Sequence, residues 1–267
     1  MTNHPPQTSS KPWVTSSNNA TTLLGRPDFK AEARRAFEAL YKGGIAICPN
    51  TTGYGIYGGS QKALQLAFDT KRRGGHNRHA MLCDDQTQRE IHILERDRQE
   101  MIECITQDYD LPLGVVAPYR ADHPVLRAVS PEMLKASTAR STLGLLINAG
   151  PIHAEVCRLS REACLPVFGS SANLSGTGTK FRAEDIQPEI RAIADVIIDT
   201  GLCKYYRYNV AATGIDFSTM DVIRFGACYE LISDILKRRF GIDLPEDPGR
   251  AALPSGHLKE FVLKDVD

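Results

Sequence analysis

Helix-like and strand-like patterns alternate along this chain from about residue 27 to residue 240 without an internal repeat. No other feature restricts the fold as much, because such alternation builds a sheet covered by helices rather than a helical bundle or a sandwich. A first helix is predicted where Phe29, Ala33, Ala36, Phe37, Leu40 and Tyr41 recur at helical spacing, with Asp28 placed to cap it and Gly43-Gly44 to stop it. "IAICP" follows as a buried strand, and "NTTGYGIYGGS" as a loop into a second helix over Gln61–Asp69. Next come a strand near Ala80–Cys83, a mostly helical stretch from Gln86 to Asp108, and strands at "GVVAP" and "TLGLLI". "IHAEVCRLSREAC" reads as a helix and "LPVFG" as a strand. "AEDIQPEI" is predicted as a short helix, "ADVIIDTG", "NVAATGID" and "DVIRFGA" as strands, and "YELISDILKRRF" as a closing amphipathic helix.

The ends differ from this core. Residues 1–24 are rich in Ser, Thr, Asn and Pro and hold no acidic residue, which predicts a flexible arm. Residues 241–267 carry the proline and glycine of a loosely attached extension, leaving 25–240 as one α/β domain with a mixed sheet. At 42% hydrophobic, a chain of 267 residues can bury a large core. Lysine plus arginine equals aspartate plus glutamate at 32 each, so no global field draws the protein to nucleic acid or anionic membrane, and any anion site must be local. The seven cysteines are scattered and never form C-x-x-C, which argues against a disulfide framework or a zinc site. No apolar run approaches the roughly 18 residues of a membrane span, and no signal-peptide pattern opens the chain. An intracellular, cytoplasmic protein without membrane contact is expected.

Two segments carry candidate chemistry. "GSSANLSGTGTK", Gly169–Lys180, follows a strand, and a turn rich in glycine and serine points N–H groups and hydroxyls at one volume, which suits a phosphate. "KRR", Lys71–Arg73, ends the second helix before two glycines, where cations also commonly complement the helix dipole.

Their order with "PNTTGYGI" resembles the YrdC-like family, the threonylcarbamoyl-AMP synthases and their relatives. The family pattern runs P-T-E-T-x-Y-G-L, K-x-R, T-S-A-N-x-S-G and L-R-x-G; here the matching segments are Pro49–Ile56, Lys71–Arg73, Ser170–Gly176 and Ile223–Gly226. The resemblance implies a twisted α/β sheet with a concave nucleotide-binding groove, and a nucleotidyltransferase acting on ATP, bicarbonate and an amino acid with Mg²⁺ as the assisting ion. Such an enzyme forms an N-carbamoyl amino acid adenylate and releases pyrophosphate. It also implies a place in tRNA modification and possible binding of double-stranded RNA. Lys71, Arg73, Ser171 and Asn173 match the family's catalytic and phosphate-binding positions, joined by Ser170, Asn209 and Arg224 as nucleotide contacts. Asn50, Thr52, Tyr54 and His79 fall at or beside the amine pocket. Lys71 and Arg73 are expected on an exposed groove wall.

The departures are specific. Asn50 and Thr51 replace the family's threonine and glutamate, Leu82 stands where a histidine belongs and Leu146 where an arginine belongs. Tyr208 and Asn209 replace two hydroxyl residues, while His76, Arg78 and His79 offer substitute contacts or a solvated basic loop. A binding module for nucleotide or double-stranded RNA that has lost synthesis therefore stays open. So does an enzyme of specialised metabolism using the fold for other carbamoyl or phosphate-linked chemistry. The oligomeric state is not readable from the chain.

Overall fold

Asp28 accepts the Ala31 N–H at 2.9 Å, and this cap starts helix α1, Phe29–Tyr41. Gly43, at φ +79°, ends it as the sequence predicts. In this computed structural model, residues 25–72, 79–139 and 141–253 are described. The strands are β1 (Ile45–Asn50), β2 (Gly53–Gly58), β3 (Ala80–Leu82), β4 (Leu113–Pro118), β5 (Thr138–Ala139), β6 (Thr142–Ile147), β7 (Phe168–Ser171), β8 (Val196–Ile197), β9 (Gly214–Asp216) and β10 (Asp221–Arg224). The remaining helices are α2 (Gln61–Thr70), α3 (Asp85–Ile91), α4 (Arg96–Glu103), α5 (Pro124–Arg127), α6 (Pro131–Ser137), α7 (Pro151–Glu162), α8 (Pro188–Ala192) and α9 (Tyr229–Phe240).

All ten strands join one twisted mixed sheet in the order β10-β9-β4-β6-β3-β7-β2-β1-β8, with β5 paired to β6. The β3–β6, β4–β9 and β1–β8 pairs are parallel and the rest antiparallel. Small residues of α1, Ala33 and Ala36, let it pack with Ile152 and Val156 of α7 over Ala46 and Cys48 of β1. On the opposite face, Ala63 and Ala67 of α2 and Ile190 of α8 cover Ile45, Ile47, Tyr54 and Ile56. A larger cluster joins β3, β4, β6 and β9 to α4 and α9 through residues such as Met81, Val115, Leu145, Ile215, Ile102 and Ile232. Period-two alternation of a strand places successive side chains on opposite faces, and the split of β1 between two clusters follows from it.

Two expectations change. "NTTGYGIYGGS" is not simply a loop, because Gly53–Gly58 forms β2 and pairs with all of β1 as a hairpin. The C-terminal segment is attached as far as it is described: Ile242 and Leu244 pack on the large cluster, and Leu253 is buried with Val222, Phe225 and Tyr229. Prolines and glycines there exclude helix without excluding contact. The arm, Arg73, His76, Arg78 and residues 254–267 lie outside the described residues. No described helix is long and apolar enough to cross a membrane.

Candidate functional site

The turn joining β1 to β2 is clamped from two sides. Thr51 donates its N–H to the Ala149 carbonyl at 2.8 Å, just before α7, and its own carbonyl accepts the Tyr205 N–H at 2.8 Å. Thr52 is buried behind it. Asn50 is buried too, and its Nδ2 donates to the Gly53 carbonyl at 3.2 Å and to the Tyr57 hydroxyl at 2.5 Å. Both amide hydrogens are thereby committed inside the protein. Tyr54 points into the core on the α2 side, where its hydroxyl lies 3.0 Å from both Asp199 Oδ1 and the Gly201 carbonyl. Burial first, and then the Asp199 carboxylate, hold this phenol well above its usual range, so it stays protonated. The Asn50 amide hydrogens and the Tyr54 hydroxyl are thus held by protein partners.

The serine-rich segment meets this hairpin directly. Ser170 and Ser171 end β7 opposite Ile56 and Gly55 of β2, and the pairing continues with Ala172 donating to the Tyr54 carbonyl at 2.8 Å. Lys71 closes α2, donates from Nζ to the Ser171 carbonyl, and accepts the Ser175 N–H at 3.0 Å on its own carbonyl. The segment from Ser171 to Ser175 is thus wrapped around the end of α2. Lys71 is 2% exposed, which corrects the expectation of an open groove wall. The physical reason is this wrap: the chain that carries the serines also covers the lysine, and a buried ammonium needs such acceptors.

Asn173 is buried within the wrap. Its Nδ2 donates to the Leu174 carbonyl at 2.6 Å, while Oδ1 accepts no hydrogen bond. A buried unsatisfied oxygen costs free energy unless a ligand, water or ion completes it. It is also the hard oxygen that Mg²⁺ takes. Among the described residues no three His, Cys, Asp or Glu side chains stand together as a metal cage. An ion here would therefore bring most of its ligands from phosphate and water, which is how Mg²⁺ usually binds.

Other expected residues are dispersed. His79 is buried, its ring 6.2 Å from that of Phe68 between centroids. Arg224 lies on edge strand β10, five places along the sheet from β7, and donates from Nε to the Ala212 carbonyl at 2.6 Å. Asn209 is exposed at φ +56° after a short turn, Tyr206–Tyr208. Tyr208 donates to Glu230 at 2.5 Å. Leu82 and Leu146 are direct partners across β3 and β6 and pack together with the α1–α7 cluster. Two polar positions of the family pattern have thus become one apolar pair. No described thiol is poised as a nucleophile nearby: burial pushes Cys48 and Cys203 each up to about 12. Asp199 and Tyr57 escaped the sequence reading, since nothing local marks "IIDTG" or the second tyrosine of "GYGIYG" as partners of this turn.

A family model described as "Telomere recombination", Sua5_yciO_yrdC, matches residues 38–226. The chain belongs to the Sua5/YciO/YrdC family. That span holds Asn50, Lys71, Ser171, Asn173 and Arg224, so the motif order of this family and the contacts between β2, α2 and β7 coincide. A protein of Methanocaldococcus jannaschii named as a putative threonylcarbamoyl-AMP synthase is 26% identical over 180 residues, which is 65% of this chain and 78% of the relative. Solved structures share the family fold. A hypothetical protein from Streptococcus mutans superposes with a TM-score of 0.64 at 22% identity, covering 78% of this chain and 92% of its own. P. abyssi Sua5, solved with L-threonine, gives 0.63 at 20% identity over 84% of this chain and 61% of its own.

Proposed function

We propose that this protein is a nucleotidyltransferase of the threonylcarbamoyl-AMP synthase type, which joins an N-carbamoyl amino acid to the AMP moiety of ATP. The observation that carries the reading is the contact of Lys71, Ser171 and Asn173 around the end of α2, inside the segment matched by the family model. In the proposed reaction the amine adds to the carbon of bicarbonate with loss of water. The resulting carbamate oxygen then attacks the α-phosphorus, and pyrophosphate leaves. No protein nucleophile is required, so the work is positioning and charge neutralisation.

Lys71 and Arg73 would supply cations to the triphosphate, with Ser170 and Ser171 donating hydroxyls. Asn173 Oδ1 would complete the coordination of Mg²⁺ held on the phosphates, and the ion would supply Lewis-acid polarisation of the phosphoryl oxygens. Thr52 is the candidate from the first motif that keeps a side-chain hydroxyl for the amino acid. A relative of this fold was solved with L-threonine, which makes threonine the first amine to test.

The Leu82–Leu146 pair favours a second reading, in which the phosphate half is retained as a nucleotide-binding module and synthesis is lost. Pyrophosphate release separates the two. With ATP, Mg²⁺ and bicarbonate, the first reading expects release with one amino acid and none when bicarbonate is withheld. ATP binding without release for any amino acid would favour the second.

A further inference from the structure

Tyr57 is the side chain that the fold lays against the site although no motif marks it. Gly55 of β2 and Gly169 of β7 leave a strip of sheet without side chains. A Cβ on Gly55 would lie 2.1 Å from Tyr57 Oη, and one on Gly169 would lie 2.3 Å from Tyr57 Cδ1. Both distances are too short for real atoms, so the ring lies where a side chain at either position would be, and at Gly169 the Ile56 carbonyl, 2.2 Å from such a Cβ, also excludes one. Ser171 stands directly opposite Gly55. Cross-strand partners share a face with Cβ atoms about 5 Å apart, which puts the Tyr57 hydroxyl one side-chain position from Ser171. Asn50 then reaches that hydroxyl from the end of β1 and also ties itself to the Gly53 carbonyl.

We propose that Asn50 and Tyr57 are positioning residues: their buried hydrogen bond anchors the 50–53 turn, and with it Thr51 and Thr52, to the glycine strip beside Ser171. Asn50 acts through Tyr57 and not by touching substrate. The inference rests on the reading that this end of β1, β2 and β7 binds the amino acid and nucleotide. It accounts for the presence of an amide where the family pattern has a threonine, because only a side chain with two N–H donors makes both bonds.

The test is a double-mutant cycle of Tyr57→Phe and Asn50→Ala on the full chain, read in two ways. Tyr57→Phe removes one oxygen and no ring volume, so it keeps the core. By amide hydrogen exchange, each single variant should speed exchange of residues 50–54 about tenfold while β4 and α7 keep their protection, and the double variant should be no faster than the faster single. In the pyrophosphate assay each should raise the KM for threonine about five- to tenfold and leave kcat within about twofold, with no further loss in the double variant. Unchanged exchange of the turn in Tyr57→Phe overturns the proposal, as does faster exchange with an unaltered KM. A drop of about tenfold or more in kcat on adding Asn50→Ala to Tyr57→Phe would make Asn50 a direct contact instead. A wild-type protein that releases no pyrophosphate with any amino acid defeats the reading of the reaction, and the exchange data still decide whether the pair fixes the turn.

Discussion

Strand β7 divides two neighbourhoods of opposite character. Toward β2 its end meets Lys71 and Asn173, with a buried acceptor oxygen left open. Toward β3 and β6 the opposite end of β7, beside Val167, is followed by Leu82 and Leu146 in register, packed under α7. Buried polar groups are expensive and persist where they are satisfied by partners or ligands, whereas an apolar pair adds to the core directly. The contrast is between a polar side whose residues match the motifs proposed to hold phosphate and an apolar pair at positions where the family pattern has a histidine and an arginine.

The largest expected effect breaks the polar side. Lys71→Met keeps the aliphatic stem and removes the charge, and it should lower pyrophosphate release by about a hundredfold or more. Circular dichroism melting should show the variant still folded, because the wrap retains the Ser175 N–H bond to the residue 71 carbonyl. Activity within about threefold of wild type would place the phosphates elsewhere.

An opposite intervention probes the apolar side. Leu146→Arg restores the charge of the family pattern, yet the residue opposite is Leu82 and the nearby cluster is apolar. The variant should lose about 2 kcal/mol of stability, a fall of roughly 4–8 °C in Tm, with no gain in turnover. A gain in turnover at unchanged Tm would mean that this side still faces the reactants.

The same side sets a pH dependence. His153 lies against Leu146, with its Nε2 3.0 Å from the Leu146 carbonyl, and burial lowers its pKa from 6.5 to about 4. Burial does the same to His92, also to about 4. The unfolded chain binds these protons first, so the stability of the neutral folded histidines is complete above pH 6.5 and is lost as the pH falls toward 4. Each should contribute a slope of up to about 1.4 kcal/mol per pH unit in that window, and urea titrations of His153→Gln should show the smaller slope.

Much of this was legible beforehand. The cap at Asp28, the stop at Gly43 and the alternation of elements follow from local rules, and the order of the motifs led to the matched family. Strand β2 was not legible, because three of its six residues are glycine and a glycine-rich run reads as loop. Its logic appears only when Tyr57 is seen to cover Gly55 and Gly169 from another strand position. The burial of Lys71 was hidden for a related reason, as it depends on the path of Ser171–Ser175, a hundred residues away. Arg224 matched a motif in sequence, but pairing along the sheet sets it on the far edge, where a carbonyl of its own neighbourhood holds it.

The most direct test is calorimetric titration of Mg²⁺-ATP into the wild-type protein and into Asn173→Ala and Arg224→Ala. Saturable binding to one site, weakened about tenfold or more by Asn173→Ala and less than about threefold by Arg224→Ala, is the expected result. Equal binding by wild type and Asn173→Ala, or a larger loss from Arg224→Ala, would contradict the assignment of the triphosphate to the polar side of β7.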